Sequence, residues 1–120
     1  MPNLKQLALG IPIDERAVEI LAPTLSRLQS VCVCFEANEV QFALLRHLGP
    51  LCTHLWLRTR LRGQLVLTDW PSINRQLLAQ LTHLNLQGGL KDGIEGLNLV
   101  LECTTSLHVL HCWFQQNVSF

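Results

Sequence analysis

Pairs of apolar residues separated by one position recur along this chain at Leu7/Leu9, Val31/Val33, Leu55/Leu57, Leu84/Leu86 and Leu110/Cys112. Successive pairs begin 24, 24, 29 and 26 residues apart. The slot three residues upstream of each is also apolar, filled by Leu4, Leu28, Cys52, Leu81 and Leu107. Alternation marks a half-buried strand, because successive side chains leave a strand on opposite faces. A fixed period in the twenties means that each unit buries its apolar face by stacking on its neighbours. The pattern predicts a solenoid.

Segments with helical spacing lie between these strands. Asp14 is the expected N-cap of a helix carrying Ala17, Val18, Ile20 and Leu21, which Pro23 should end by removing a backbone donor. Asn38 is a second cap, ahead of Val40, Phe42, Leu44, Leu45 and Leu48, with Gly49-Pro50 as the stop. Asp69 precedes a third helix with Ile73, Leu77 and Leu78 inward and Pro71 in its first turn. The fourth runs from about Asp92 to Glu102 and should bury Ile94, Leu97, Val100 and Leu101. Leu65-Val66-Leu67, in the longest interval, predicts a small extra strand. Strands linked through helices pair in parallel, since a parallel pair needs a crossover. These strands are short and lack the continuous apolar runs of a sheet covered on both faces. A doubly wound sheet is therefore disfavoured.

The pattern Leu-x-x-Leu-x-Leu, seen as Leu4-x-x-Leu7-x-Leu9 and Leu81-x-x-Leu84-x-Leu86, resembles the leucine-rich repeat. The stretch from Cys103 through Leu107 and Leu110 to Cys112 is similar to its cysteine-containing subtype, found in substrate receptors of F-box ubiquitin ligases. The resemblance implies an α/β leucine-rich-repeat solenoid: a short curved array with parallel strands on the concave face and helices on the convex face. It further implies a non-catalytic protein-binding module, with substrate recognition in a ubiquitin ligase as one form of that role. The slot three residues after the last strand leucine departs from the family's buried Asn or Cys, holding Pro12, Glu36, Arg60, Gly89 and Gln115. No F-box-like helical segment precedes the repeats.

If the paired leucines point inward, the residues between and beside them face the partner side. The central column is Ala8, Cys32, Trp56, Asn85 and His111. Gln6, Ser30, His54, His83 and Val109 lie upstream, and Gly10, Cys34, Arg58, Gln87 and Trp113 downstream. The expected partner-binding residues are His54, Trp56, Arg58, His83, Asn85, His111 and Trp113, because Trp and Arg dominate interface energetics. Competing chemistry is weaker. His54, His83 and His111 with Cys32 and Cys34 form a row rather than a tetrahedron, and no Cys-x-x-Cys or His-x-x-x-His pair exists, so no metal is expected. His47 and His108 read as surface or packing residues. No Gly-x-Ser-x-Gly elbow or phosphate loop is present, and neither catalytic residues nor a cofactor are expected. Arg58, Arg60 and Arg62 alternate in the long interval, and in an extended stretch would line one side and could engage phosphate or carboxylate, but with the overall charge balanced a solvated charged loop is the expected reading.

Formal net charge is zero, which argues against a general attraction to nucleic acid or an anionic membrane. A hydrophobic share of 48% against 15% charged suits a stack of buried leucines. No run is long enough to span a membrane, and the first residues lack a signal-peptide pattern. Five cysteines, an odd number, read as free thiols in a reducing compartment, making the cytoplasm or nucleus the expected location. Residues 1–120 are read as one leucine-rich-repeat domain, an uncapped fragment of a longer array. Each leucine left open at an end would forfeit about 1.5–3 kcal/mol of burial, so end-to-end self-association is expected. Two alternatives accompany the binding reading: a structural segment of a larger repeat protein, and a weak RNA-binding repeat.

Overall fold

The chain folds as a mixed α/β structure with six parallel strands and four helices in a computed structural model, which describes residues 4–60 and 63–115. In chain order these are β1 (Gln6–Ile13), α1 (Glu15–Leu25), β2 (Ser30–Phe35), α2 (Asn38–His47), β3 (His54–Thr59), β4 (Gln64–Leu65), α3 (Trp70–Gln80), β5 (His83–Leu90), α4 (Gly93–Cys103) and β6 (Val109–Gln115). The five longer strands lie side by side in the order they are made, and β4 continues the β3 edge of β5. The helices pack in the same sequence, α1 on α2, α2 on α3 and α3 on α4. The sheet is open, not closed into a barrel.

The apolar pairs become the floor of the core. Val31 aligns with Leu55, Leu55 with Leu84, and Leu84 with Leu110; Val33, Leu57, Leu86 and Cys112 align likewise. Val31, Val33, Leu55, Leu57, Leu84 and Leu86 are all at most 2% exposed. Helix residues Val18, Val40, Leu44, Leu45, Leu77, Leu78 and Val100 cover them. A repeated backbone device keeps the units in step. At each strand start two successive N–H groups donate to one carbonyl of the preceding unit. Gln29 and Ser30 donate to Lys5 O, Thr53 and His54 to Gln29 O, Thr82 and His83 to Thr53 O, and His108 and Val109 to Thr82 O.

Several local expectations need correction. Helix α1 continues two residues past Pro23, because a proline near the C-terminus deletes only one helical bond. Its exposed carbonyl is taken up by Ser26 Oγ at 2.8 Å and Arg27 Nε at 3.2 Å. Asp14 does cap this helix, accepting from Ala17 N at 2.8 Å. Asn38 does not cap α2; its Oδ1 accepts from Gln64 N, tying the start of α2 to β4. Helix α2 buries Gln41 instead of Phe42, which is half-buried. Helix α3 is kinked at Asn74. Ile94, expected inside, is 71% exposed, and Leu97 and Leu101 are half-buried, since α4 has a helix neighbour on only one side among the described residues. The extra strand falls one residue early, at Gln64–Leu65. Among the described residues no helix is long and apolar enough to cross a membrane.

Candidate functional site

One face of the sheet carries the helices; the other carries the residues that alternate with the buried leucines. In β3 the alternation is complete, with His54, Trp56 and Arg58 exposed and Leu55, Leu57 and Thr59 buried. The strand register sets the exposed positions into rows across the sheet. One row runs Gln6, Ser30, His54, His83, Val109, and the next Ala8, Cys32, Trp56, Asn85, His111. The third contains Cys34, Arg58, Gln87 and Trp113, but Pro12 rather than Gly10 at its β1 end, because the register slips between Ala8 and Pro12. All seven expected partner-binding residues thus share one face, in three adjacent rows.

Their surroundings differ. Trp56 is 40% exposed and Trp113 is 74% exposed. Trp56 stands between two open depressions and lines both, one of about 270 Å³ over His54, His83, Asn85 and His111, the other of about 210 Å³ against Cys34 and Arg58. Trp113 borders neither depression. Cys34, expected on the open face, is only 2% exposed between its neighbours Pro12 and Arg58. Asn85 Oδ1 is buried and has no hydrogen-bond donor among the described residues.

His54 and His83 stack, with ring centroids 4.1 Å apart and planes within 10°. Each ring is held by the threonine before it: Thr53 Oγ1 lies 2.8 Å from His54 Nδ1, and Thr82 Oγ1 lies 2.9 Å from His83 Nδ1. The Thr82 hydroxyl also reaches Thr53 O at 3.2 Å. Loss of water at the stacked rings, and then the nearby His83, hold His54 below its ordinary value. The sequence reading singled out the histidines and missed their tethers, although Thr-His recurs at the same repeat position, residues 53–54 and 82–83.

All five cysteines are free thiols. Burial pushes Cys52 up to about 11, and burial also raises Cys32, an effect that Arg58 partly offsets. Raised thiols are poor nucleophiles because the thiolate is the reactive form. Cys112, expected as a buried filler, is exposed on β6. Among the described residues no three His, Cys, Asp or Glu side chains gather in a metal-binding group. The arginine row ends at Arg58. Gly63 N donates to Arg60 O at 2.9 Å, and Arg62 lies outside the described residues. The chain matches no family model, and no curated protein or solved structure is significantly similar to it.

Proposed function

We propose that this chain is a leucine-rich-repeat array whose uncovered sheet face binds another protein without catalysis. The observation that carries the reading is the partly exposed Trp56 ridge, flanked by two depressions on a face that no helix covers. A large apolar ring left in water beside an arginine is the composition of an interface anchor. The larger depression, about 270 Å³, is open and falls below the usual range for enclosing a small molecule, about 300–1,000 Å³. Recognition of a ubiquitin-ligase substrate, implied by the cysteine-containing subtype, is one form of this role.

Affinity capture from cell extract tests the reading, comparing the wild-type chain with Trp56→Ala/Arg58→Ala and with Arg75→Ala on exposed helix α3. Proteins retained by wild type and Arg75→Ala but lost with the double variant are the expected result. Capture unaffected by the double variant, with circular dichroism showing an intact fold, would reject the sheet face as the binding surface.

A further inference from the structure

The nine acidic residues are Asp14, Glu15, Glu19, Glu36, Glu39, Asp69, Asp92, Glu95 and Glu102. None lies in the three exposed rows of the sheet. The coil segments leading into the four later repeat strands, residues 26–29, 48–53, 81–82 and 104–108, contain none either. On this face the three rows and the coils leading into them thus hold no carboxylate, and Glu36, which directly follows β2, stands at the opposite strand end from His54 and His83. Within the rows, the stacked His54 and His83 rings have both Nδ1 atoms engaged by threonine hydroxyls. The nitrogens left for a ligand are the two Nε2 atoms. Because the rings stand in register, nearly parallel and tethered at the same atom, these nitrogens lie on the same edge of the stack.

We propose that the His54–His83 pair is a carboxylate site, receiving an Asp or Glu side chain of an extended segment of the bound protein together with one proton from solvent. This rests on the protein-binding reading above and names the partner's chemistry. A neutral stacked pair gains a proton at the cost of crowding positive charge against the second ring. A carboxylate at the Nε2 edge offsets that cost, forming a charge-assisted hydrogen bond with the protonated ring. Protonation and carboxylate capture are therefore coupled, and each favours the other. On the strands around the pair the titratable or charged groups are Cys32 of β2, Arg58 of β3 and His111 of β6, and the coils leading into β1, β2 and β6 carry Lys5, Arg27 and His108. No carboxylate among these can satisfy the pair internally.

A nucleic acid would also bring negative charge, but among the described residues the three rows hold one permanent cation, Arg58, whereas nucleic-acid affinity rests on neutralising several phosphates at once.

Fluorescence anisotropy with labelled oligoglutamate, oligoglutamine and oligouridylate probes tests the site on the whole chain at constant ionic strength. Oligoglutamate should bind more tightly than oligoglutamine. Its affinity should rise about tenfold per pH unit on going from about pH 7.5 to pH 6.5, the slope for uptake of one proton by a histidine pair. Glutamate carboxylates stay ionised throughout that range. His54→Gln and His83→Gln, both at exposed positions, should flatten the slope while leaving the circular dichroism spectrum unchanged. Equal binding of oligoglutamine, a pH-independent affinity, failure to bind oligoglutamate, or tighter binding of oligouridylate would each overturn the proposal. A partner protein captured through Trp56 with no pH dependence would leave the protein-binding reading standing and overturn the carboxylate site alone.

Discussion

Gln41 shows how one buried polar side chain can join parts of the chain far apart in sequence. It is fully buried in α2. Its Nε2 donates to Gln64 O at 2.9 Å, and its Oε1 accepts from Val66 N at 3.1 Å and from Trp70 Nε1 at 3.2 Å. One amide thereby satisfies the loop around β4 and the indole that anchors the start of α3. Gln41→Leu would keep the volume and strand two buried donors, Val66 N and Trp70 Nε1, with the part-buried Gln64 O. Each buried group costs roughly 1–3 kcal/mol when left without a partner. The variant should lose at least about 2 kcal/mol of stability, read as a lower urea midpoint with an unchanged slope. A midpoint within error of wild type would mean that water replaces the amide. Hydropathy alone pointed to Phe42 as the inward residue here, because an amide's value inside depends on donors and acceptors that lie 23 to 29 positions away.

Helix α3 is the element whose form departs most from its periodicity. Ile73, Leu77 and Leu78 have helical spacing, but Asn74 interrupts the helix with φ −156° and ψ 77°. Short amides compete with the helical ladder by bonding nearby backbone. Asn74 Oδ1 accepts from Leu77 N at 3.1 Å, which caps the second half of α3. Its Nδ2 donates to Leu45 O at 2.8 Å and Leu48 O at 3.2 Å, satisfying carbonyls at the end of α2. Asn74→Ala should destabilise the fold by roughly 1–2 kcal/mol, the range of a lost cap. It should also speed amide exchange at Leu77, and exchange there at the wild-type rate would show that Asn74 does not cap. Gly88 is similarly fixed by its neighbours: it adopts φ +131°, and a Cβ there would collide with the Thr59 hydroxyl, which accepts from Gly89 N.

Over the whole molecule, burial is uneven along the stack. Leu55, Leu57, Leu84 and Leu86 in the middle strands are at most 2% exposed, whereas Leu110, their counterpart in β6, is 36% exposed. Val109 is 36% and Trp113 74% exposed on the same strand, and Ile11 in β1 is 70% exposed. Since successive strands join through one repeated register, the free side of β6 resembles the surface that β5 offers to β6, and β1 can receive it in another copy. Such head-to-tail contacts do not close on themselves. The 120-residue polypeptide should therefore self-associate in a concentration-dependent way, with a rising sedimentation coefficient, and Leu110→Glu should shift it towards monomer. A monomer at all concentrations would mean the β6 side is already adequately covered.

The periodic apolar pairs were enough to specify parallel strands joined by helices and to identify which residues share the open face. Stacking holds β2, β3, β5 and β6 in one register, and alternation then divides most of their residues between core and surface. His54, Trp56 and Arg58 were legible for that reason, as were the matching positions Asn85 and His111 on neighbouring strands. Features set by contacts across units were not. The burial of Cys34, the exposure of Ile94 and the slip that replaces Gly10 with Pro12 all depend on which segment lies alongside. The His54–His83 stack belongs to both levels. A repeated Thr-His dipeptide supplied its parts, and only the pairing of β3 with β5 brought the rings to 4.1 Å, because contact distance is decided by register rather than by local sequence.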